Sequence, residues 1–144
     1  MEKLEQISVF LENQPGRLFD VTRILVEANI NIRALSLADT TDFGILRLIV
    51  SDCEKARKEL KENGFTVGTT DVVAVEVQDQ PGGLHDILKL LKNANVNIEY
   101  MYAFVQTSGK DAIIIFRFDN IGAALQQLKE SGVRVIDGES LYKM

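Results

Sequence analysis

Hydrophobic positions alternate near the start of the chain: Ile7, Val9 and Leu11 are separated by Ser8, Phe10 and Glu12. Period two predicts a strand with one buried face. Pro15-Gly16 breaks the pattern, and the period then changes. Leu18, Val21, Leu25 and Ala28 share one helical face, with Arg17, Asp20, Arg23 and Glu27 on the other. Asn29 is placed to cap this helix at its C-terminus. Ile30 to Asp39 and Gly44 to Ser51 read as two more strands, joined by the polar turn Thr40-Thr41-Asp42. Asp52 predicts the N-cap of a helix reaching Glu62, whose apolar face of Cys53, Ala56 and Leu60 is thin. Asn63-Gly64 ends it, and Phe65 to Thr70 reads as a fourth strand. The predicted order is β-α-β-β-α-β.

The chain then repeats itself. Asn13-Gln14-Pro15-Gly16-Arg17-Leu18 returns as Asp79-Gln80-Pro81-Gly82-Gly83-Leu84, and Asn29-Ile30-Asn31-Ile32 returns as Asn95-Val96-Asn97-Ile98. Both copies lie 66 residues on (16 to 82, 31 to 97), so nothing was gained or lost between the motifs. A repeat of this length is a whole folded unit used twice. Val73, Val75 and Val77 match the first strand; Leu84, Ile87, Leu88, Leu91 and Ala94 match the first helix. Leu60 and Gly64 align with Leu128 and Gly132 at an offset of 68, which places a two-residue insertion in the hairpin near Ser108-Gly109-Lys110. Val133 to Ile136 is the expected last strand, followed by a short tail. The expected domains are therefore 1–70 and 71–144. Thr66 to Val77 is one nearly continuous β-prone stretch, so no linker separates them.

This element order with right-handed crossovers predicts an α+β fold of two ferredoxin-like units, each an antiparallel sheet with its helices on one face. The usual strand order puts the second strand of each unit at an edge. Those edges, Ala34 to Ala38 and Tyr100 to Val105, carry no charge within their runs. Apolar edges are normally covered or paired. Pairing them with each other predicts one eight-stranded antiparallel sheet with four helices on one face.

Each first strand ends at Pro-Gly, and a helix begins at once. Proline there fixes φ and needs no N–H partner, and glycine lets a group approach the backbone. The unpaired N–H groups of a helix start suit a carboxylate. Asn13 or Asp79, with Asn31 or Asn97 at the start of the edge strand, can accept from an ammonium. If the edges pair, loop and strand from opposite units line two related clefts. The competing reading is a turn that merely joins strand to helix.

The residues that carry this argument, Asn/Asp-x-Pro-Gly-x-Leu followed by Asn-x-Asn-Ile, resemble the ACT domain, over the whole chain and once per repeat. The resemblance implies a small regulatory fold that binds a free amino acid at a domain interface, in a stand-alone pair with no catalytic domain. It implies ligand contacts from Asn13, Gln14, Pro15, Gly16, Arg17, Leu18, Asn31 and Ile32, and from Asp79, Gln80, Pro81, Gly82, Gly83, Leu84, Asn97 and Ile98. Gly83 departs from the first repeat, where Arg17 stands, so the two clefts need not be equivalent. The implied function is an amino-acid sensor acting on a metabolic enzyme or regulator. The alternative is an assembly or scaffold subunit whose clefts bind nothing.

Composition narrows the field further. A net charge of −5 without a basic cluster argues against nucleic acid. One cysteine, Cys53, closes no internal disulfide, and an N-terminus lacking an apolar core reads as cytoplasmic. No apolar run is long enough to span a bilayer. Asp42-Phe43-Gly44 and Gly109-Lys110 lack the surroundings of kinase or phosphate-loop motifs. No catalytic pair, metal set or cofactor motif stands out, so a non-enzymatic protein without cofactor or metal is expected. Phe19 and His85 occupy equivalent positions just inside the first helix turn, where they can cover the cleft or a partner. Phe10, Ile45, Ile49, Ile113 and Ile115 make the sheet face away from the helices apolar, which predicts a homodimer.

Overall fold

In a computed structural model the structure describes residues 3–39, 43–104 and 111–143. The Thr40-Thr41-Asp42 turn, the Ser108-Gly109-Lys110 insertion and Val105 lie outside the described residues. The chain divides into two compact units, Glu5–Thr70 with Tyr142–Met144, and Met1–Leu4 with Asp71–Leu141.

The first unit contains β1 (Lys3–Glu12), α1 (Arg17–Glu27), β2 (Ile32–Asp39), β3 (Phe43–Val50), α2 (Cys53–Glu62) and the start of β4 (Thr66–Gln78). β3 lies between β1 and β2 and is antiparallel to both, with Leu48 opposite Ile7 on one side and Leu35 on the other. The alternation of β1 sends Ile7, Val9 and Leu11 into a core shared with Val21, Ile24, Leu25, Leu46, Leu48 and Leu60. Ile24 joins this core, whereas Leu18, in the first helical turn, is 39% exposed. Asp52 caps α2 as expected, its carboxylate accepting from the Lys55 N–H at 3.1 Å. β2 starts at Ile32, two residues later than expected, because Asn29 and Ile30 belong to the end of α1.

The second unit uses the end of β4, then α3 (Gly83–Asn93), β5 (Ile98–Ala103), β6 (Asp111–Phe118), α4 (Ile121–Glu130), β7 (Val135–Ile136) and α5 (Gly138–Lys143). β6 pairs with both β4 and β5, and β7 pairs with β4. Val73, Val75 and Val77 face a core with Ile87, Leu91, Phe116, Phe118, Ala124 and Leu128. Phe116 and Phe118 stack with ring centroids 5.4 Å apart.

The α+β class and antiparallel sheet agree with expectation; the strand count does not. The sheet has seven strands rather than eight, because the last strand of one repeat and the first of the next are a single strand, β4, of 13 residues. The expected edge pairing is not seen among the described residues, where β2 pairs with β3 and β5 with β6 at the two ends of the strand order. Among the described residues the helices number five, not four, since the expected tail coils into α5. Its last turn belongs to the first unit, where the Tyr142 hydroxyl accepts from the Glu5 N–H at 3.0 Å and the Tyr142 carbonyl accepts from Arg33 Nε at 3.0 Å. Of the apolar face expected to drive dimerisation, Ile49, Ile113 and Ile115 are already buried within the chain. Only Phe10, 48% exposed, remains open, and Ile45 is half-buried.

Candidate functional site

Both repeats turn from strand to helix in the same way. In the first, the Gln14 N–H donates to the Glu12 carbonyl (2.8 Å), the Arg17 N–H to Gln14 (3.4 Å) and the Asp20 N–H to Gly16 (2.9 Å). In the second, Gln80 donates to Gln78 (2.9 Å), Gly83 to Gln80 (3.0 Å) and Asp86 to Gly82 (2.9 Å). Gly16 and Gly82 cap the helices with φ of +89° and +90°. A Cβ at either would meet nothing within 4 Å, so conformation, not crowding, calls for glycine there. Asn13, Gln14, Pro15 and Gly16 are exposed, as are Asp79, Gln80, Pro81 and Gly82.

The Asn-x-Asn motifs lie at the other end of the helices. Asn29 and Asn95 have φ of +58° and +57° and end α1 and α3 in matching Schellman motifs. The Ile30 N–H reaches the Leu25 carbonyl at 2.9 Å, and the Val96 N–H reaches Leu91 at 3.0 Å. Asn31 and Asn97 are exposed side chains on fixed backbone. The Ser51 hydroxyl accepts from the Asn31 N–H at 2.9 Å, and Asp119 Oδ1 accepts from the Asn97 N–H at 3.0 Å. Ile32 and Ile98 follow, half-buried. Each helix has 11 residues, so the two motifs of one unit stand about 16 Å apart. The structure does not bring them together within a unit, and the β2–β5 pairing expected to join them across units is not seen among the described residues.

Two concave places result in each unit. Asn13, Gln14, Arg17 and Leu18 line a cleft of about 90 Å³ with Leu37 and Gly44. This is well below the roughly 300 Å³ of ordinary small-molecule sites. At the far end of α1, Asn29 and Asn31 border a hollow of about 280 Å³. Its counterpart at the end of α3, about 490 Å³, adds Lys92 and Asp119 to Asn95, Asn97 and Ile98. Asp119 stands where the first repeat has Ser51, a difference that aligning the repeats reveals.

The corner beside the Pro-Gly loop differs most. Arg17 does not stand free beside its loop. Its guanidinium lies over the Phe65 ring, 4.4 Å from the centroid, and Nη1 is 3.5 Å from Asp20 Oδ2. Its Nε is buried without a hydrogen-bond partner. In the second repeat, the Gly83 backbone is pressed so close to the Gln78 carbonyl that a Cβ would collide with it. Val133 stands where Phe65 stood. With both side chains reduced, a pocket of about 430 Å³ opens among Gly83, Asp86, Ile87, Leu90 and Val133. The sequence reading singled out Gly83 but missed Val133, Asp86 and this pocket.

Other chemistry is quiet. Burial pushes the half-buried Cys53 thiol up to about 11, with Glu5 and Glu54 adding to the shift, so the helix start does not activate it. Among the described residues no group of three His, Cys, Asp or Glu is arranged to hold a metal. No helix among them is long and apolar enough to cross a membrane. His85 and Phe19 are exposed beside their loops.

Two ferredoxin-like units, each with a Pro-Gly loop opening its first helix, define the class, and comparison places the chain within it. The chain belongs to the ACT domain pair family, whose model matches residues 2–144. It is similar to protein BT0572 from Bacteroides thetaiotaomicron, whose crystal structure is 43% identical, with 99% of this chain and 98% of that one covered and a TM-score of 0.94. The ligand-free regulatory subunit of aspartate kinase from Thermus thermophilus shares the fold at 18% identity, covering 90% and 91% of the chains with a TM-score of 0.63. The corresponding subunit from Thermus flavus does so at 16% identity, covering 92% and 94% with a TM-score of 0.63. No curated protein matches the chain.

Proposed function

We propose that this protein is an amino-acid-binding regulatory protein whose ligand sits at an interface between ACT-like units. The observation that carries the reading is the doubled Pro-Gly loop. Each opens a helix behind a glycine in the left-handed region, with the first helical N–H held by the turn and the next ones, of Leu18 and Phe19 or Leu84 and His85, left to suit a carboxylate. The exposed Asn13 and Asp79, with Asn31 and Asn97, supply acceptors for an ammonium from the wall of another unit. A cleft of about 90 Å³ needs such a second wall to enclose an amino acid. A second copy is one source of it: β2 has an open edge and exposes Leu35 and Leu37, so a homodimer fits this reading. Ligand binding then changes the packing of units, and a partner enzyme or regulator responds to the packing that the ligand favours. The free Cys53 suits a reducing, cytoplasmic setting.

Calorimetric titration with the twenty standard amino acids tests the reading, with binding by one or a few expected. Gly16→Asn and Gly82→Asn sharpen it, because asparagine tolerates positive φ yet sets a side chain over the helix start. They are expected to keep the fold and weaken binding about tenfold or more. A folded protein that binds none of the twenty supports the assembly role instead.

A further inference from the structure

The open corner of the second unit has a filled counterpart in the first, and comparing the two shows what the space has lost. Position by position, Arg17, Asp20, Val21, Ile24 and Phe65 of the first unit correspond to Gly83, Asp86, Ile87, Leu90 and Val133 of the second. In the first unit the space is filled by a guanidinium, seated on an aromatic ring and held by a carboxylate. In the second the carboxylate and apolar floor are kept, the guanidinium is gone, and the ring is cut back to an isopropyl group. Among the described residues, no cation pairs with Asp86. The remaining pocket of about 430 Å³ lies within the roughly 300–1,000 Å³ usual for small ligands.

We propose that this pocket binds a small organic cation of amino-acid size, bearing a guanidinium or primary ammonium, in the place that Arg17 occupies in the first unit. The head pairs with Asp86, and its methylene stem lies on Ile87, Leu90 and Val133. On the rim Glu76 and Arg134 offset each other, so Asp86 sets the charge that a ligand meets. Arg134 is itself engaged, its Nη1 2.8 Å from Glu76 Oε2. The Gly83 backbone, packed on Gln78, keeps the mouth clear by excluding any side chain there. The first unit is closed to such a ligand because its own arginine is already bound.

Agmatine is the discriminating probe. It carries the guanidinium and an amine but no carboxylate, so it cannot use the helix-start cradle invoked for the Pro-Gly loops. Calorimetry on the full chain at low salt is expected to show one agmatine per chain, weakening as salt is raised. Asp86→Asn is expected to weaken it about ten- to hundredfold, as loss of a charged hydrogen-bonding partner does. Asp20→Asn and Gly82→Asn leave it unchanged. Citrulline, a neutral ureido compound, is expected to bind far more weakly than arginine. Absence of binding at millimolar agmatine overturns the proposal. So does agmatine binding that survives Asp86→Asn unchanged in a variant whose thermal melt shows it folded. Neither outcome bears on the loop site, which answers to carboxylate-bearing ligands and to Gly16→Asn and Gly82→Asn.

Discussion

The strand-to-helix corners of the two units share backbone hydrogen bonds, glycine conformation and helix length, yet one is filled and the other is open. In the first, Arg17 folds back onto Phe65 and Asp20. In the second, Gly83 and Val133 leave a pocket beside Asp86, which has no cationic partner among the described residues. Two substitutions far apart in sequence, at one point in space, thus turn a solid corner into a cavity. A duplicated fold can keep its scaffold in both copies while only one keeps room for a ligand. That separates what the turn requires from what a site requires, and mutations can pull the two apart.

The largest effect is expected at Gly83. An alanine there would ordinarily help a helix by up to about 1 kcal/mol. Here its methyl would meet the Gln78 carbonyl, and relief requires moving the loop or the end of β4. Overpacking of this kind costs about 1–3 kcal/mol, so steric conflict wins. Urea unfolding of Gly83→Ala should show the loss; an unchanged or higher midpoint would mean that the loop gives way freely.

Next come Gly16→Ala and Gly82→Ala. Neither methyl meets an obstacle, but each L-residue must adopt a φ near +90°. The left-handed region costs a side chain roughly 1–2 kcal/mol. Because the two turns match, the two losses should be similar, and in the double variant they should add to within about half a kcal/mol. A clear inequality would show that the loops are less alike than their hydrogen bonds indicate.

The repeat, the element order, the caps at Asp52 and Asn29 and the continuity of β4 were all legible in the sequence, because each is a local signal. Seven strands instead of eight was implicit in that continuity, but apolar edge strands pointed more strongly to edge pairing. Burial of Ile49, Ile113 and Ile115 was illegible, since period two shows that a strand face is apolar without showing what covers it. The fate of Arg17 was hidden for a different reason. Its ring partner, Phe65, lies two helices and two strands further on, where alignment of the repeats marks only a quiet change to Val133. At the candidate site, the strand-to-helix turns fall at the Pro-Gly positions where the sequence breaks its period. The sequence reading joined them to Asn31 and Asn97 through strand pairing not seen among the described residues.

Arg17→Ala should cost less than the glycine changes, about 0.5–1 kcal/mol, since its guanidinium stack is partly exposed and its distance to Asp20 is long at 3.5 Å. Thermal melts compared with wild type measure this. The sharper experiment removes ring and cation together. Arg17→Gly with Phe65→Val gives the first corner the residues of the second and should add a second agmatine site per chain. Stoichiometry remaining at one in a folded double variant would show that the pocket depends on more than these two positions.

The smallest effect is expected at Cys53, which stands where the second unit has Ile121. Burial and the nearby Glu5 and Glu54 raise its thiol from 9.0 to about 11, so the fold favours the protonated form. The sign follows from linkage: the contribution is complete below pH 9 and is lost progressively as pH rises through about 11. At neutral pH the ionisation contributes nothing, and Cys53→Ala should register only the loss of a sulfur packed partly against the core. Between pH 9 and 11 the melting temperature of wild type should fall more steeply than that of Cys53→Ala, while iodoacetamide labels the folded thiol more slowly than free cysteine. Parallel melting curves for the two proteins across that interval would mean that Cys53 is as readily ionised folded as unfolded, and that its burial does not hold the thiol in its protonated form.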